Sequence, residues 1–271
     1  MSNLQTITDG ASEPIEGLDG LLHSGERPGE RTCEEERRWR KERVAGALRL
    51  LARFGMNDGA AGHITARDPE DPDTFWVNPA LKNFATMCVS DLLLIDADGG
   101  VREGDGPLNR AAFAIHSRLH QARPDVVAAV HAHSTYGKIW STTGRPLEPL
   151  TQDACAFYGS HGVFADYTGV VLDLDEGDRI AEALGTGKAV ILRNHGLLTV
   201  GATVEEAAWS FIAMEQACHV QVMAEAIGTP VQMQPAMAAL TASQVGSAAV
   251  SKAQFDMHWD ALVADDSSVL C

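Results

Sequence analysis

Between Gly62 and Leu192 short apolar segments, turn clusters and amphipathic stretches follow one another, and this alternation limits the possible folds more than any other feature of the chain. GHITAR at Gly62–Arg67 and FWVNP at Phe75–Pro79 flank the Pro- and Asp-rich DPEDPD, so they read as a hairpin. Leu92 to Asp96 reads as a buried strand closed by the turn Ala97-Asp98-Gly99-Gly100. Asn109 to Ala122 has helical character and must stop before Pro124, whose ring excludes the helical conformation from the residue ahead of it. Val126–His133 and Lys188–Leu192 are further strands. The helix Asp175–Leu184 precedes the second of these, with acidic residues in its first turn, where the helix dipole favours them. Thr203 caps a long helix reaching about Ile227. An amphipathic helix from Glu34 to near Gly55, with Val44, Leu48 and Leu51 on its apolar stripe, opens the folded region. Strand, turn and helix thus alternate along the chain.

A chain of 271 residues fits one globular domain with extensions. Residues 1–30 are rich in Gly, Ser, Glu and Pro and are expected to be a flexible lead-in, residues 31–230 the domain, and residues 231–271 a weakly patterned C-terminal extension. The lead-in lacks the basic start and apolar block of a secretion signal, and no apolar run approaches a bilayer-spanning length, so the expected location is cytoplasmic with no membrane partner. A formal net charge of −16 repels a phosphate backbone, which argues against nucleic acid. The five cysteines are scattered without a CxxC pair and are expected to be reduced thiols.

The chemistry-bearing residues are histidines. In VVAAVHAHS, His131 and His133 stand two apart at the end of an apolar strand, so their side chains share a face and can grip one metal ion. By itself such a pair occurs often by chance and more commonly marks solvent-facing or hydrogen-bonded histidines. In AVILRNHGLLTVG a buried strand runs into Asn194-His195-Gly196, a turn able to present a third imidazole. Three neutral imidazoles form a known catalytic ligand set that leaves positions open for substrate, water or oxygen.

With these blocks, together with GHITAR, FWVNP, SDLLLID at Ser90–Asp96 and ARPDVVAAVHAHS at Ala122–Ser134, the sequence resembles the class II aldolase/adducin family over about Arg40 to Gly228. The resemblance implies a three-layer α/β/α sandwich around a mostly antiparallel central sheet, a homotetramer, and a divalent metal held by His131, His133 and His195.

One departure matters. Sugar-phosphate aldolases of the family carry a Ser-Ser-Glu stretch whose glutamate serves as general acid/base, and its position here falls on Ala112. A methyl group cannot move a proton. Candidate substitutes are His116, which shares a helix face with His120, and His161 and Tyr167 from AFYGSHGVFADYTG, each with a plainer reading as packing or structure. Glu103 could approach the metal, but a glutamate in a Gly-rich loop is ordinarily solvated. No dedicated phosphate cradle is evident, and aromatic residues near the motifs suit a larger, aromatic substrate.

The leading expectation is therefore a non-heme Fe(II) oxygenase or oxidative decarboxylase. It would use dioxygen to cleave a carbon-carbon bond of a small 2-oxo or 2-hydroxy acid. In this the chain is similar to family members of the aminocoumarin-antibiotic (clorobiocin and novobiocin) pathways, which convert a prenylated 4-hydroxyphenylpyruvate to the benzoate. The alternatives are a Zn(II) lyase or decarboxylase of aldolase type, and a non-catalytic adducin-like interaction module.

Overall fold

The structure, a computed structural model, describes residues 31–271. The expected lead-in of residues 1–30 lies outside the described residues. Helix α1 (Cys33–Arg53) begins at Thr32, whose side chain accepts from the Glu35 backbone N–H while the Glu35 carboxylate accepts from Thr32 N–H, a reciprocal cap. Strands β1 (Gly62–Arg67), β2 (Phe75–Val77), β3 (Leu93–Ile95) and β4 (Val101–Glu103) follow. Next come α2 (Arg110–Ala122), β5 (Ala128–Ala132), α3 (Thr135–Ser141), β6 (His161–Phe164) and α4 (Leu174–Leu184). Strands β7 (Ala189–Leu192) and β8 (Gly196–Gly201) lead to the helices α5 (Val204–Ile227), α6 (Pro235–Val245) and α7 (Ala248–Asp265). Among the described residues no helix is long and apolar enough to cross a membrane.

The eight strands make one sheet in the order β4-β3-β2-β1-β5-β8-β7-β6, with only β6 and β7 parallel. Because strand residues alternate faces, β5 feeds two cores at once. Ala128, Val130 and Ala132 join α1, α5 and α7 on one side. Ala129 joins α2 and α4 on the other, through Ile115, Leu119, Ile180 and Leu184. This is the three-layer sandwich that the resemblance implied. The expected hairpin is β1 and β2, with Thr65 opposite Val77.

Two differences from the sequence reading stand out. The C-terminal extension, weakly patterned in sequence, forms α6 and α7, and α7 buries Phe255, Trp259 and Leu262, whose spacing places them on one helix face. Trp259 also packs so closely on α1 that a Cβ at Gly46 would lie 2.3 Å from its ring. The expectation that every cysteine is reduced fails for two of them. Cys88 and Cys271 form a disulfide with a Cα–Cα distance of 5.7 Å, while Cys33, Cys155 and Cys218 are free. Tertiary packing supplies the reason. Arg49 holds Asp266 at 2.7 Å and Ser268 at 3.0 Å, and Ser90 N–H donates to the Cys271 carbonyl at 2.9 Å, so residues distant in sequence are brought side by side.

The bond closes a loop with a sequence separation of 183 residues. Cys271→Ser should cost about 2–4 kcal/mol of stability. The expected result is a lower midpoint in scanning calorimetry, matched by wild-type protein in excess reductant; identical midpoints would show that the crosslink contributes nothing.

Candidate functional site

His131 projects from β5 toward the α2/α4 side of the sheet and is almost fully buried. Its Nδ1 lies 2.8 Å from the carbonyl of Leu197 on β8. A carbonyl can only accept, so Nδ1 carries the proton and Nε2 keeps its lone pair for a ligand. His133 lies one residue beyond the end of β5, a shorter strand than the expected Val126–His133, and is half-buried.

His195 comes from the tight turn joining β7 to β8. Asn194 adopts φ 59°, a left-handed conformation that Asn tolerates better than most residues, and His195 N–H closes the turn on the Leu192 carbonyl at 3.0 Å. Helix α3 follows His133 directly and meets the turn, where Asn194 N–H donates to the Ser141 carbonyl at 3.2 Å. The Glu215 carboxylate on α5 accepts from Ser134 Oγ at 2.5 Å, Tyr136 N–H at 2.8 Å and Gly137 N–H at 2.6 Å, capping the helix that follows His133. Gly137 permits the contact with β8, since a Cβ there would lie 2.6 Å from the Leu197 side chain.

The three imidazoles converge. Ring centroids are 4.7 Å apart for His131 and His195, 4.8 Å for His133 and His195, and 5.2 Å for His131 and His133. One ligand atom from each lies within 4.8 Å of the others. Burial holds all three rings neutral. The His195 imidazole is pushed down to about 4 by burial and by His133. His131 is driven well below its usual range by burial and then by the neighbouring imidazoles, and His133 is lowered by burial and by Lys138. Three unprotonated nitrogen donors in a half-enclosed cleft suit a divalent ion that bonds imidazole at about 2.0–2.1 Å, so the residues fit a metal.

Residues 42–222 match the family described as "Class II Aldolase and Adducin N-terminal domain". The chain belongs to this family. It is 46% identical over 238 residues to the "Decarboxylase NovR" of Streptomyces niveus, covering 87% of this chain and 88% of that one. It is 48% identical over 218 residues to the "4-hydroxy-3-prenylphenylpyruvate oxygenase/4-hydroxy-3-prenylbenzoate synthase" of Streptomyces roseochromogenus subsp. oscitans, covering 80% and 79%. Among solved structures, the "L-fuculose 1-phosphate aldolase from Glaciozyma antarctica PI12" superposes with a TM-score of 0.84 at 40% identity, covering 93% of this chain and 98% of that one.

On this class II aldolase scaffold the remaining site candidates fall in different places. Ala112, where the resemblance puts the aldolase glutamate, is fully buried on α2, one turn before His116. His116 lies on the triad's side of the sheet but not in the triad. Its Nδ1 is 2.7 Å from Thr65 Oγ1, which also meets His120 Nε2 at 2.9 Å, and its ring contacts His63. His161 has both ring nitrogens engaged: Nδ1 with the Phe157 carbonyl at 2.7 Å and Nε2 as acceptor from Leu147 N–H at 2.9 Å. It also pairs with Ala189 at the start of β7, whereas His195 follows the other end of that strand. Tyr167 is exposed, in the loop between β6 and α4. Glu103 is exposed on the edge strand β4.

Two residues escaped sequence reasoning. His63 stands directly opposite His131 across the β1/β5 pairing, with ring centroids 5.1 Å apart. The alternation of GHITAR puts His63 and Thr65 on one face, but nothing in the sequence says that β1 neighbours β5. Glu215 is separated from Ser134 by 81 residues and gives no local signal.

Glu215→Ala leaves two backbone N–H groups and a hydroxyl without their acceptor, which should cost roughly 3 kcal/mol. Denaturant unfolding should show the loss together with weaker metal retention; unchanged stability would rule out the cap. A second expectation concerns acid. His120 is lowered to about 3 by burial and by Arg67, and His63, His116, His131 and His195 are lowered as well, burial being the largest cause for each. Unfolded imidazoles take up protons near about pH 6.5, and the buried ones only at lower pH. Below that value the unfolded state binds more protons, so this stability is complete above about pH 6.5 and is lost as pH falls toward about 4. The melting temperature of the metal-free protein should drop steeply across that window; a flat profile would contradict the burial of neutral rings.

Proposed function

We propose that the protein is a metal-dependent enzyme that uses dioxygen to cleave a carbon-carbon bond of a small aromatic 2-oxo or 2-hydroxy acid, with Fe(II) held by His131, His133 and His195. One observation carries the reading: three neutral imidazoles converge, and the resemblance puts the aldolase glutamate at Ala112, a buried methyl group. The names of the two Streptomyces relatives, a decarboxylase and an oxygenase/synthase, point the same way.

When bound, ferrous iron supplies redox chemistry with dioxygen and an open face for a chelating substrate. The protein does the rest. Hydrogen bonding to Leu197 fixes the tautomer and orientation of His131. The half-buried rings of His133 and His195 leave one side of the triad accessible to substrate, and the buried side excludes water. Ala112 offers no group to remove a proton, which disfavours a route that needs a carboxylate base at that place.

A second reading is a redox-silent Zn(II) lyase, favoured by the likeness to the L-fuculose 1-phosphate aldolase at 40% identity. It requires a proton donor other than residue 112, for which His116 is the nearest of the earlier candidates to the triad. Metal analysis with oxygen uptake separates the two. Anaerobically purified protein supplied with Fe(II) should consume oxygen in the presence of a 4-hydroxyphenylpyruvate-type acid; zinc alone with no uptake would favour the lyase. Replacing His131, His133 or His195 by Ala should remove most bound metal, and retention in all three variants would overturn the metal reading.

A further inference from the structure

His63 is buried to 2% exposure, and neither of its ring nitrogens has a hydrogen-bond partner among the described residues. A neutral imidazole always carries one N–H donor and one acceptor lone pair, and leaving either unmet in the interior costs about 1–3 kcal/mol. Its neighbours cannot fully satisfy it. His131, 5.1 Å away between centroids, uses Nδ1 on Leu197, and its Nε2 lone pair is directed to the metal in the reading above. His116, 4.3 Å away on the other flank, uses Nδ1 on Thr65 and has an unpartnered Nε2, so it can meet at most one of the two His63 nitrogens. One nitrogen of His63 is therefore left for a group on the side of the triad.

The backbone makes this placement deliberate in a physical sense. His63 and His131 are cross-strand partners, so their side chains leave the sheet on the same face. An apolar residue at position 63 would have filled the same space without an unmet donor and acceptor. Ala112 adds a second observation. It lies on the α2 face that also carries His116, at the position where the resemblance puts the aldolase glutamate, so this chain has a methyl group there and leaves polar contacts on that side of the sheet to unpartnered imidazole nitrogens, those of His63 among them.

We propose that His63 hydrogen-bonds an oxygen atom of the ligand bound at the triad. The ligand class is a chelating acid whose carboxylate or adjacent oxo group reaches past His131. The inference rests on the reading of the triad as a metal site, and it assigns His63 to ligand binding rather than to metal binding.

The full-length protein loaded with Co(II) tests this, with oxalate as the chelating probe and the visible absorption of the cobalt as the readout. Wild type, His63→Leu and His63→Gln are compared for cobalt content and for oxalate affinity. Cobalt content should be the same in all three. His63→Leu should weaken oxalate binding about tenfold or more, and His63→Gln, which keeps an N–H donor, should recover part of that loss. The metal-free His63→Leu protein should melt no lower than wild type, since it exchanges an unsatisfied polar group for an apolar one. Should His63→Leu fail to fold, His63→Met fills the space more adaptably and takes its place. Oxalate affinity within about twofold of wild type would overturn the proposal, because a hydrogen bond to a charged acceptor is worth more than that. Loss of cobalt from folded His63→Leu or His63→Gln would overturn it too, showing that the ring holds the metal. Failure of the wild-type protein to bind cobalt is read before oxalate is added; it would remove the metal reading itself and this proposal with it.

Discussion

Strand β5 is hydrogen-bonded along both edges, to β1 through Gly62–Ala66 and to β8 through Leu197–Gly201, and this double pairing sets where each imidazole stands. Side chains alternate with a period of two, so a slip of one residue would turn His131 into the apolar layer under α1 and α5 and bring Val130 to the cleft. Burial on both faces forbids the slip. Ala128, Val130 and Ala132 are fitted to one core and Ala129 to the other, and neither core accepts the opposite set. The same pairing puts Leu197 beside His131, so the carbonyl that orients the ring belongs to the strand that secures the register.

Electrostatics follow from that burial. Six of the ten histidines, namely His63, His116, His120, His131, His133 and His195, form one connected network, with His116 and His120 joined through Thr65. Charging any of them would place a cation in a low-dielectric interior next to other imidazoles, so all are held neutral. Neutral rings are the form that binds metal, and packing thereby prepares the donors without a proton having to leave first.

The family scaffold carries strand β5 and the β7–β8 turn, from which the three candidate histidines converge. Class II aldolase architecture is retained, with a TM-score of 0.84 to a fuculose-phosphate aldolase at 40% identity. Yet helix α2, which packs on the triad's side of the sheet, buries Ala112 and His116 there. One fold can support different chemistries, since reactivity resides in the side chains grafted on it rather than in the sheet that carries them.

Local pattern determined much of this. Thr32 and Glu35, Asn109, Asp173 and Thr203 mark helix starts, Pro124 requires α2 to end before it, and the hairpin around DPEDPD is written in its turn residues. The HxH spacing and the Asn-His-Gly turn likewise named His131, His133 and His195, because chemistry at a spacing of two residues or within a tight turn is visible in sequence. Other features required the assembled fold. Phe255, Trp259 and Leu262 already had helical spacing, but only the packing of α7 against α1 gave that stripe a surface to cover. His63 opposite His131, Glu215 under α3 and the Cys88–Cys271 bond all join residues far apart in the chain. Such pairings depend on strand order and on how helices seat on the sheet. Those are set by the burial of whole faces at once, and no local stretch of sequence carries that information.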